Sequence, residues 1–552
     1  MTHVLQRIAV PALLALILAG PFALRRSPPA GDARPQVGAL ERLVVFTPHN
    51  DQIRHEFALG FNRWRTSRGL SGVHFDWRIS GGTSDLRKQV VSQFTMLAHA
   101  GREDDGIGAD LFFGGGQFEH DALARGLSLQ RGGRVVNIPL TATIDLSPEQ
   151  LQKIFPRPDL AGEPLYRRGE DGHSLLWVGT ALSSFGIVFN RDVLSMIDGL
   201  LPPTGWDDLC DARYRGWLAL ADPAHSGSVA ATYNVILRRK GWHRGWRVLR
   251  RVFANARVFT NSAPSVPLDV AAGQAAAGMC IDFYGRYQAG ATPGDRVGYV
   301  DPRSPLGRGS GNVPPLETAV TADPISILRG APQPRLALQF VEWLLSESGQ
   351  GLWQRRVGVT GGPDLHELRR LPIRQSTYQP QQMQHWTDDV SPFNLARPLP
   401  EGMPGFYRIV APLTHAMAID VHDDLTRAWS AIVSHPHHPN RNRMLELFDA
   451  MPDGNDQHGQ DMSLQIAWPR NIDAADVGRI LTDPDDARHQ DVIAMMQAFV
   501  NKLRSRYTLP GSDRGWNDRD KLLRHRLAWT KFFRANYRTI VELEKIEVAS
   551  RK

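Results

Sequence analysis

The chain is 552 residues long, which is more than one hydrophobic core organises, so we expect two or three folding units. Hydrophobic residues make up 42% of the chain and charged residues 22%, values that are ordinary for a globular protein. The formal net charge is +7, but the arginines are scattered among acidic residues and no long Lys/Arg run occurs. The composition therefore gives little support to nucleic-acid binding.

The chain has two cysteines, Cys210 and Cys280, and no CxxC pair. This excludes a zinc ribbon and a thioredoxin-type redox site. A single disulfide stays open at this point, because the sequence does not show whether the two sulfurs meet.

The N-terminal segment, residues 1–40, carries an apolar stretch from Ile8 to Leu24 with Arg7 before it and Arg25-Arg26 after it. The stretch has the length of a signal-peptide core or of a short membrane span. We therefore expect a cleaved signal or an uncleaved membrane anchor, and a protein that works in the periplasm or elsewhere outside the cytoplasm. No cysteine lies nearby, so a lipoprotein anchor is not predicted.

Short apolar segments, each followed by a polar turn and a helical pattern, recur along the chain. We predict strands at 42–47, 73–79, 109–113, 217–220 and 257–260. This alternation predicts an α/β fold with mainly parallel sheets. Ligands of such folds bind beyond the carboxyl ends of the strands, where these turns lie.

The turns are rich in Ser, Thr, Gly and Asn, and each opens a predicted helix. A helix N-terminus presents unpaired N–H groups and a partial positive charge, so several such turns around one cleft would bind an anionic or polar solute. Taken singly, each turn also reads as a helix cap or a tight turn. The turn residues that we predict to contact a ligand are Thr47, His49, Ser80, Gly81, Gly82, Thr83, Gly115, Asp222, Ser226, Gly227, Ser228 and Ser262.

Six segments occur in a characteristic order and spacing. They are LVVFTPH at 43–49, GADLFF at 108–113, SSFGIVFNR at 183–191, TGWDDL at 204–209, GQAAAGM at 273–279 and FVEWLLS at 340–346. Over roughly residues 43–360 the chain resembles the type 2 periplasmic solute-binding proteins of ABC importers (extracellular solute-binding protein family 1). The nearest subgroup is the one that contains ferric-iron, phosphonate and thiamine binders.

The resemblance implies a non-enzymatic protein with two α/β lobes joined by crossing strands. The lobes would clamp a small molecule or metal, with Ser183 and Ser184 among the ligand contacts, and deliver it to the permease subunits of an ABC importer. We expect lobe 1 at residues 41–135 and 295–375, and lobe 2 at residues 136–294. The resemblance leaves residues 376–552 unexplained, and we predict a mainly helical C-terminal extension there.

The resemblance also suggests metal ligands. Ferric members use a His or Thr after the first strand and a tandem Tyr pair, and the matching positions are Thr47 or His49 and the segment 282–285. Only Tyr284 is phenolic in that segment, and Asp282 begins it. Ferric iron prefers oxygen ligands such as carboxylate and phenolate, so His49, Asp282 and Tyr284 are the candidate ligands if the solute is iron.

Other roles remain open for Asp282 and Tyr284. Asp282 would alternatively pair with an ammonium group of the solute or accept hydrogen bonds from a turn, and Tyr284 would stack on an organic ligand or pack at the hinge. No cofactor is expected, and iron enters only as transported solute. A phosphorylated or phosphonate compound and a small organic cation are the other candidate solutes.

Two other functions compete with solute delivery. A hydrolase would use His225, Ser226 and Asp222, but neighbours on one turn rarely form a triad and no GxSxG, HExxH or P-loop motif occurs. A membrane-tethered sensor that keeps the binding fold would explain the long extension. His415, Asp420 and His422 meet no fixed metal-ligand spacing, so we predict a solvated helix face there.

Overall fold

The computed structural model describes residues 40–305, 314–400, 406–452, 477–483, 486–497 and 519–550. The predicted N-terminal signal or anchor lies outside the described residues. Within them, no helix is both long and apolar enough to cross a membrane.

The elements follow the predicted alternation of strand and helix, and the five predicted strands are present to within two residues. The strands are β1 Glu41–Phe46, β2 Val73–Arg78, β3 Leu111–Phe113, β4 Leu127–Arg131, β5 Arg134–Ile138, β6 Thr141–Ala142, β7 Asp159–Leu160, β8 Glu163–Pro164, β9 Tyr166–Arg168, β10 Leu175–Ser183, β11 Phe185–Asn190, β12 Leu218–Ala221, β13 Ala256–Thr260, β14 Ala277–Ile281, β15 Val297–Val300, β16 Thr321–Leu328 and β17 Leu371–Pro372. The helices are α1 Asp51–Thr66, α2 Thr83–His99, α3 Gln117–Arg125, α4 Pro148–Ile154, α5 Arg191–Met196, α6 Gly227–Lys240, α7 Trp242–Ala254, α8 Ser265–Ala271, α9 Asp282–Ala291, α10 Pro334–Leu345, α11 Glu347–Gln354, α12 Pro380–Met383, α13 Pro392–Leu395, α14 Tyr407–Met417, α15 His422–Ser434, α16 Arg441–Asp449, α17 Val477–Thr482, α18 489–497 and α19 Arg519–Ser550.

Each lobe is built on one sheet. The first sheet has the order β17-β10-β16-β3-β1-β2, with β6 paired to β16 and β9 paired to β10, and the second has the order β13-β12-β14-β11-β15. The prediction of mainly parallel sheets is wrong. In the first sheet only β1–β2 and β1–β3 pair in parallel, and in the second β11 pairs antiparallel with both of its neighbours.

The antiparallel pairing of β10 with β16 follows from the path of the chain between the lobes. β10 leads through Ser184 into β11 of the second sheet, and β16 returns the chain to the first sheet. Neighbouring strands that run in opposite directions need no βα crossover. The lobes therefore divide differently from the predicted boundaries: β6, β9 and β10 lie in the first sheet although they follow residue 135, and β15 lies in the second although it follows residue 294.

One apolar face of α1 packs into the core of the first lobe. Ile53, Phe57 and Phe61 recur every four residues, so they share one helix face, and they are at most 1% exposed. Phe57 and Phe61 make edge or tilted ring contacts with Trp343 of α10, with centroids 5.8 and 5.2 Å apart. Full burial of each such ring contributes about 1.5–3 kcal/mol to folding.

The extension is mainly helical, as predicted, and it packs on the second lobe. Val410 and Leu413 of α14 share one buried cluster with Tyr233 of α6. On α19, Phe533, Tyr537 and Ile540 are buried in the same cluster, whereas Leu527 is 54% exposed. The extension and the second lobe therefore have one continuous core. Both cysteines are free thiols.

Candidate functional site

A cleft of about 640 Å³ lies between the two lobes. The turns at the carboxyl ends of strands from both sheets line it, as expected for open α/β sheets. Of the predicted ligand contacts, those that line the cleft are His49, Gly81, Gly82, Thr83, Gly115, Ser183, Ser226, Gly227, Ser228, Ser262 and Tyr284.

The other predicted contacts lie outside the cleft lining. Thr47 is buried and its Oγ1 accepts from the backbone N–H of His49 at 3.2 Å. Ser80 hydrogen-bonds Gln89 at the exposed start of α2. Ser184 donates to Asp301 at 2.6 Å where the chain crosses between the lobes. These polar groups are engaged within the protein.

Asp222 and Asp282 are also engaged elsewhere. Asp222 accepts from the backbone N–H of Ala224 at 2.7 Å and lies 2.9 Å from the imidazole of His415 in the extension. Asp282 is fully buried and pairs with Arg286 at 2.9 Å. Burial raises the pKa of Asp282 to about 6 although Arg286 opposes the shift. Asp282, which we predicted as a ligand contact, therefore belongs to an internal ion pair.

The predicted solvated face around His415 is an ion cluster instead. His415 bridges Asp222 of the second lobe and Asp420, at 2.9 and 3.2 Å, and Arg526 of α19 donates to Asp420 at 2.7 Å. His415 is only 14% exposed at its side chain. The cluster fastens the extension to the turn that precedes α6.

Two helices of the first lobe open directly onto the cleft. α2 begins at Thr83 after Gly82, α3 begins at Gln117 after Gly116, and neither N-cap glycine supplies a side-chain cap. The first two N–H groups of each helix have no acceptor within the helix, and the helix end carries a partial positive charge. Glycine is needed at Gly115, where φ is +98° and an added Cβ would lie 2.1 Å from Thr83.

A third helix, α6, opens onto the cleft from the second lobe. Ser226 is its N-cap and accepts from the N–H of Val229 at 3.4 Å, while Gly227 and Ser228 form its first turn. Helix N-termini of both lobes therefore surround one cavity, an arrangement that favours a negatively charged group.

Ser226 is placed as a helix cap and not as a nucleophile. Its Oγ lies 3.1 Å from Oγ of Ser228. The His225 imidazole lies 3.0 Å from Asp85 and 3.9 Å from Asp222. Among the hydrogen bonds of the described residues, none joins Ser226 to an imidazole, so the three turn residues do not form a triad.

A buried charge cluster forms another part of the cleft wall. Arg370 forms an ion pair with Asp323, donates to Ser183 Oγ at 2.9 Å, and places Nη1 2.9 Å from Nε2 of His49. His49 Nε2 is also 3.0 Å from Asp323. Burial lowers the pKa of His49, so the imidazole is neutral near pH 7. Burial opposes ionisation of Asp323, but Arg370 and His49 hold its pKa below the ordinary value.

Neither Asp323 nor Arg370 was predicted to belong to the site. Asp323 carries a sequence signal, because it is the one charged residue in a mostly apolar strand, Thr321–Leu328. Arg370 carries none, since it lies in a polar segment beyond α11.

The candidate iron ligands do not assemble. His49 already contacts a carboxylate and a guanidinium, and Asp282 is not a lining residue. Burial raises the pKa of Tyr284 to about 12, which disfavours the phenolate. Among the described residues, no group of three or more His, Cys, Asp and Glu side chains that would hold a metal ion occurs.

A second contact between the lobes lies at another part of the cleft. Arg238 of α6 donates to Glu163 of β8 at 2.8 Å, and both residues line the cavity. Together with His225–Asp85, this pair joins the lobes across the cleft. The described structure is therefore a closed one.

Comparison with known proteins shows which proteins part of this chain is similar to. A family model described as bacterial extracellular solute-binding protein matches residues 178–356, from β10 through α11. The match confirms the resemblance that the sequence predicted.

The individual proteins to which this chain is similar align with only part of it, and their sequence identity is low. The phosphoglycerate transport regulatory protein PgtC of Salmonella typhimurium is 28% identical over 143 residues, which are 26% of this chain and 32% of the relative. The chain thus spans about a third of the length of that relative. An uncharacterized protein of Haemophilus influenzae is 26% identical over 185 residues, 33% of this chain and 49% of the relative.

The solved structures to which this chain is similar have low sequence identity with it. The periplasmic binding protein AfuA from Actinobacillus pleuropneumoniae, with exogenous fructose-6-phosphate bound, has a TM-score of 0.47 at 17% identity, covering 71% of this chain and 98% of that one. Iron-bound HitA from Pseudomonas aeruginosa has a TM-score of 0.44 at 18% identity, covering 65% and 92%.

Proposed function

We propose that this chain is an extracytoplasmic solute-binding protein that clamps a small organic anion between its lobes and hands it to the permease of an ABC importer. The observation that carries the proposal is the convergence of the N-termini of α2, α3 and α6, from both lobes, on one cleft of about 640 Å³. The volume suits a small organic molecule.

The charges around the cleft support an anion better than ferric iron. The helix ends contribute partial positive charge, and the Arg370 guanidinium lies beside His49, where a trivalent cation would be repelled. Tyr284 stays protonated, and Asp282 is committed to Arg286. We infer that the N-termini hold a carboxylate or phosphate group of the solute.

The name of PgtC supports a solute that carries a phosphate group. That protein is described as a phosphoglycerate transport regulatory protein, and its similarity to this chain is limited to 143 residues. We therefore place phosphate esters of small organic acids and sugars first among the solutes to be tested, ahead of a free inorganic ion.

A second candidate is a sensor that uses the same cleft. Its support is the extension, whose core is continuous with that of the second lobe and whose Tyr407 lines the cleft. An uncleaved membrane anchor at residues 8–24, which the sequence predicts as the alternative to a cleaved signal, would hold such a sensor at the membrane.

The experiment is native mass spectrometry with elemental analysis of the purified full chain, followed by thermal unfolding with 3-phosphoglycerate, fructose 6-phosphate, inorganic phosphate and ferric citrate. A bound solute stabilises the folded state by mass action, by about 2.7 kcal/mol at one hundred times Kd. We expect a rise in Tm with at least one phosphate ester. Stoichiometric iron together with no response to either ester would contradict the anion proposal.

Reconstitution separates the two candidates. A delivery protein loaded with solute is expected to stimulate ATP hydrolysis by its importer in liposomes. Solute binding with no stimulation by any importer encoded beside it would favour the sensor.

A further inference from the structure

Tyr407, the first residue of α14, connects the extension to both lobes. Its ring stacks on Phe118 of α3 in the first lobe, with centroids 4.2 Å apart and planes 26° apart. Its hydroxyl lies 3.1 Å from Oε1 of Glu119 in the same helix and 3.2 Å from the carbonyl oxygen of Gly227 in the second lobe. Tyr407 and Phe118 both line the cleft.

The extension is fixed to the second lobe at this point. The backbone N–H of Phe406 donates to Oδ1 of Asn234 in α6 at 2.7 Å. Phe406 and Val410 share a buried cluster with Trp242 of α7. Tyr407 is therefore carried by the second lobe, and its contacts with Phe118 and Glu119 are contacts between lobes.

Glu119 shows why this contact matters for closure. Its carboxylate is fully buried, accepts from Ser84 Oγ at 2.9 Å and forms an ion pair with Arg87. A buried carboxylate is costly unless donors surround it. Burial raises the pKa of Tyr407 well above its ordinary value, so the hydroxyl stays protonated and is able to donate. Separation of the lobes would remove this donor from Glu119.

We propose that Tyr407 is a residue of the solute site that the C-terminal extension supplies: it closes one end of the cleft and holds the lobes at their closed spacing. The part of this inference that concerns solute affinity rests on the proposed function. The part that concerns lobe spacing does not, because it applies to the protein without solute.

The distance between the lobes is measured by pulsed electron–electron double resonance on the full chain without solute. Spin labels are attached to cysteines introduced by Met96→Cys and Leu268→Cys. Met96 lies on α2 and is 65% exposed, and Leu268 lies on α8 and is 57% exposed. Burial raises the pKa of the Cys210 and Cys280 thiols, which keeps them protonated and slow to label. The chain without the two new cysteines, treated with the same label, measures any residual labelling.

We expect one narrow distance distribution for the doubly labelled parent. Tyr407→Ala, which removes the ring and the hydroxyl, is expected to broaden it and shift it to longer distances. Tyr407→Phe keeps the stack on Phe118 and removes only the donor, so its shift is expected to be smaller but present. Arg443→Ala, on an exposed part of α16, is the control and should match the parent.

Distributions for both Tyr407 variants that coincide with that of the parent would overturn the inference. If Tyr407→Ala does not fold, Tyr407→Phe decides alone, because a phenylalanine fits the same space. The same variants are then titrated with 3-phosphoglycerate, for which Tyr407→Ala should raise Kd at least tenfold and Tyr407→Phe by less.

The two proposals fail in different ways. If no phosphate ester binds the parent but the distances respond to Tyr407, the proposed function fails and the inference about Tyr407 stands. If the ester binds the parent and both variants alike, and the distances coincide, the inference fails and the proposed function stands.

Discussion

Nδ1 of His225 lies 3.0 Å from Oδ2 of Asp85, and this contact joins the turn before α6 in the second lobe to the first turn of α2 in the first lobe. Beside it, Lys88 donates to the carbonyl oxygen of Ala224 at 3.2 Å. Gly82 lies against the same turn, since an added Cβ would be only 2.0 Å from the carbonyl oxygen of His225. The lobes thus meet backbone to backbone at this edge of the cleft.

The close approach at Gly82 gives the first prediction. Gly82→Ala should prevent full closure, because its methyl group meets a backbone atom that cannot rotate away. We expect Kd for a bound solute such as 3-phosphoglycerate to rise at least tenfold, as measured by calorimetry.

Gly116→Ala is the matched control for closure itself, measured as the distance between spin labels at positions 96 and 268, because Gly116 lines the cleft. Gly116 is also an N-cap glycine in extended conformation, and no protein atom lies within 4 Å of the position that an added Cβ would take. Equal shifts of that distance for the two substitutions would show that the loss at Gly82 is not caused by blocked closure.

A second prediction concerns the ion pair itself. Asp85→Ala removes an accessible contact, and exposed pairs contribute about 0.2–1 kcal/mol, so Kd should rise by no more than about fivefold. Asp105→Ala removes an exposed pair with Arg102 on the same lobe away from the cleft and should leave Kd unchanged. A much larger loss for Asp85→Ala than for Gly82→Ala would reverse the ranking expected here.

The buried pair of Arg370 and Asp323 gives a third prediction. Arg370→Gln leaves the Asp323 carboxylate buried without its guanidinium, and breaking a buried pair in this way costs about 3–5 kcal/mol of unfolding free energy. Urea unfolding measures the loss. The double variant Arg370→Gln with Asp323→Asn removes both charges and should recover part of it. A double variant less stable than the single one would contradict the pairing.

His120 gives a prediction about pH. The residue is fully buried between Ser326 Oγ at 2.7 Å and the carbonyl oxygen of Gly114 at 3.1 Å, and burial lowers its pKa to about 4. In the unfolded chain a histidine has a pKa of about 6.5, so the unfolded state binds more protons between these values. The contribution of His120 is therefore present above pH 6.5 and is lost as the pH falls toward 4.

From pH 7 to pH 5 this linkage should remove about 2 kcal/mol of unfolding free energy. His120→Gln should lower stability at pH 7 but lose correspondingly less between the two pH values in urea unfolding. His99→Gln, on an exposed histidine at the end of α2, should keep the dependence of the parent. A His120→Gln curve parallel to that of the parent would show that His120 does not titrate in this way.

Residues of the candidate site were predictable where they belong to one short sequence motif. Gly81, Gly82 and Thr83 lie in one turn between a strand and a helix, and the sequence places them at the carboxyl end of β2 without further information. Asp282 was misassigned because a resemblance at one position does not show which way a carboxylate points. Its partner Arg286 lies one helical turn further on, which also makes an internal pair the simpler interpretation.

Sequence alone determined the alternation of strand, polar turn and helix and the mainly helical extension, because these follow from hydrophobic periodicity and turn chemistry within short segments. Only the tertiary structure decided that β10 and β16 run antiparallel between the lobes and that Arg370 reaches His49 across 321 residues of sequence. It also decided that Tyr407 of the extension meets Glu119 and Gly227. Such contacts depend on how the lobes and the extension dock, and no local pattern encodes the distance between segments so far apart in the chain.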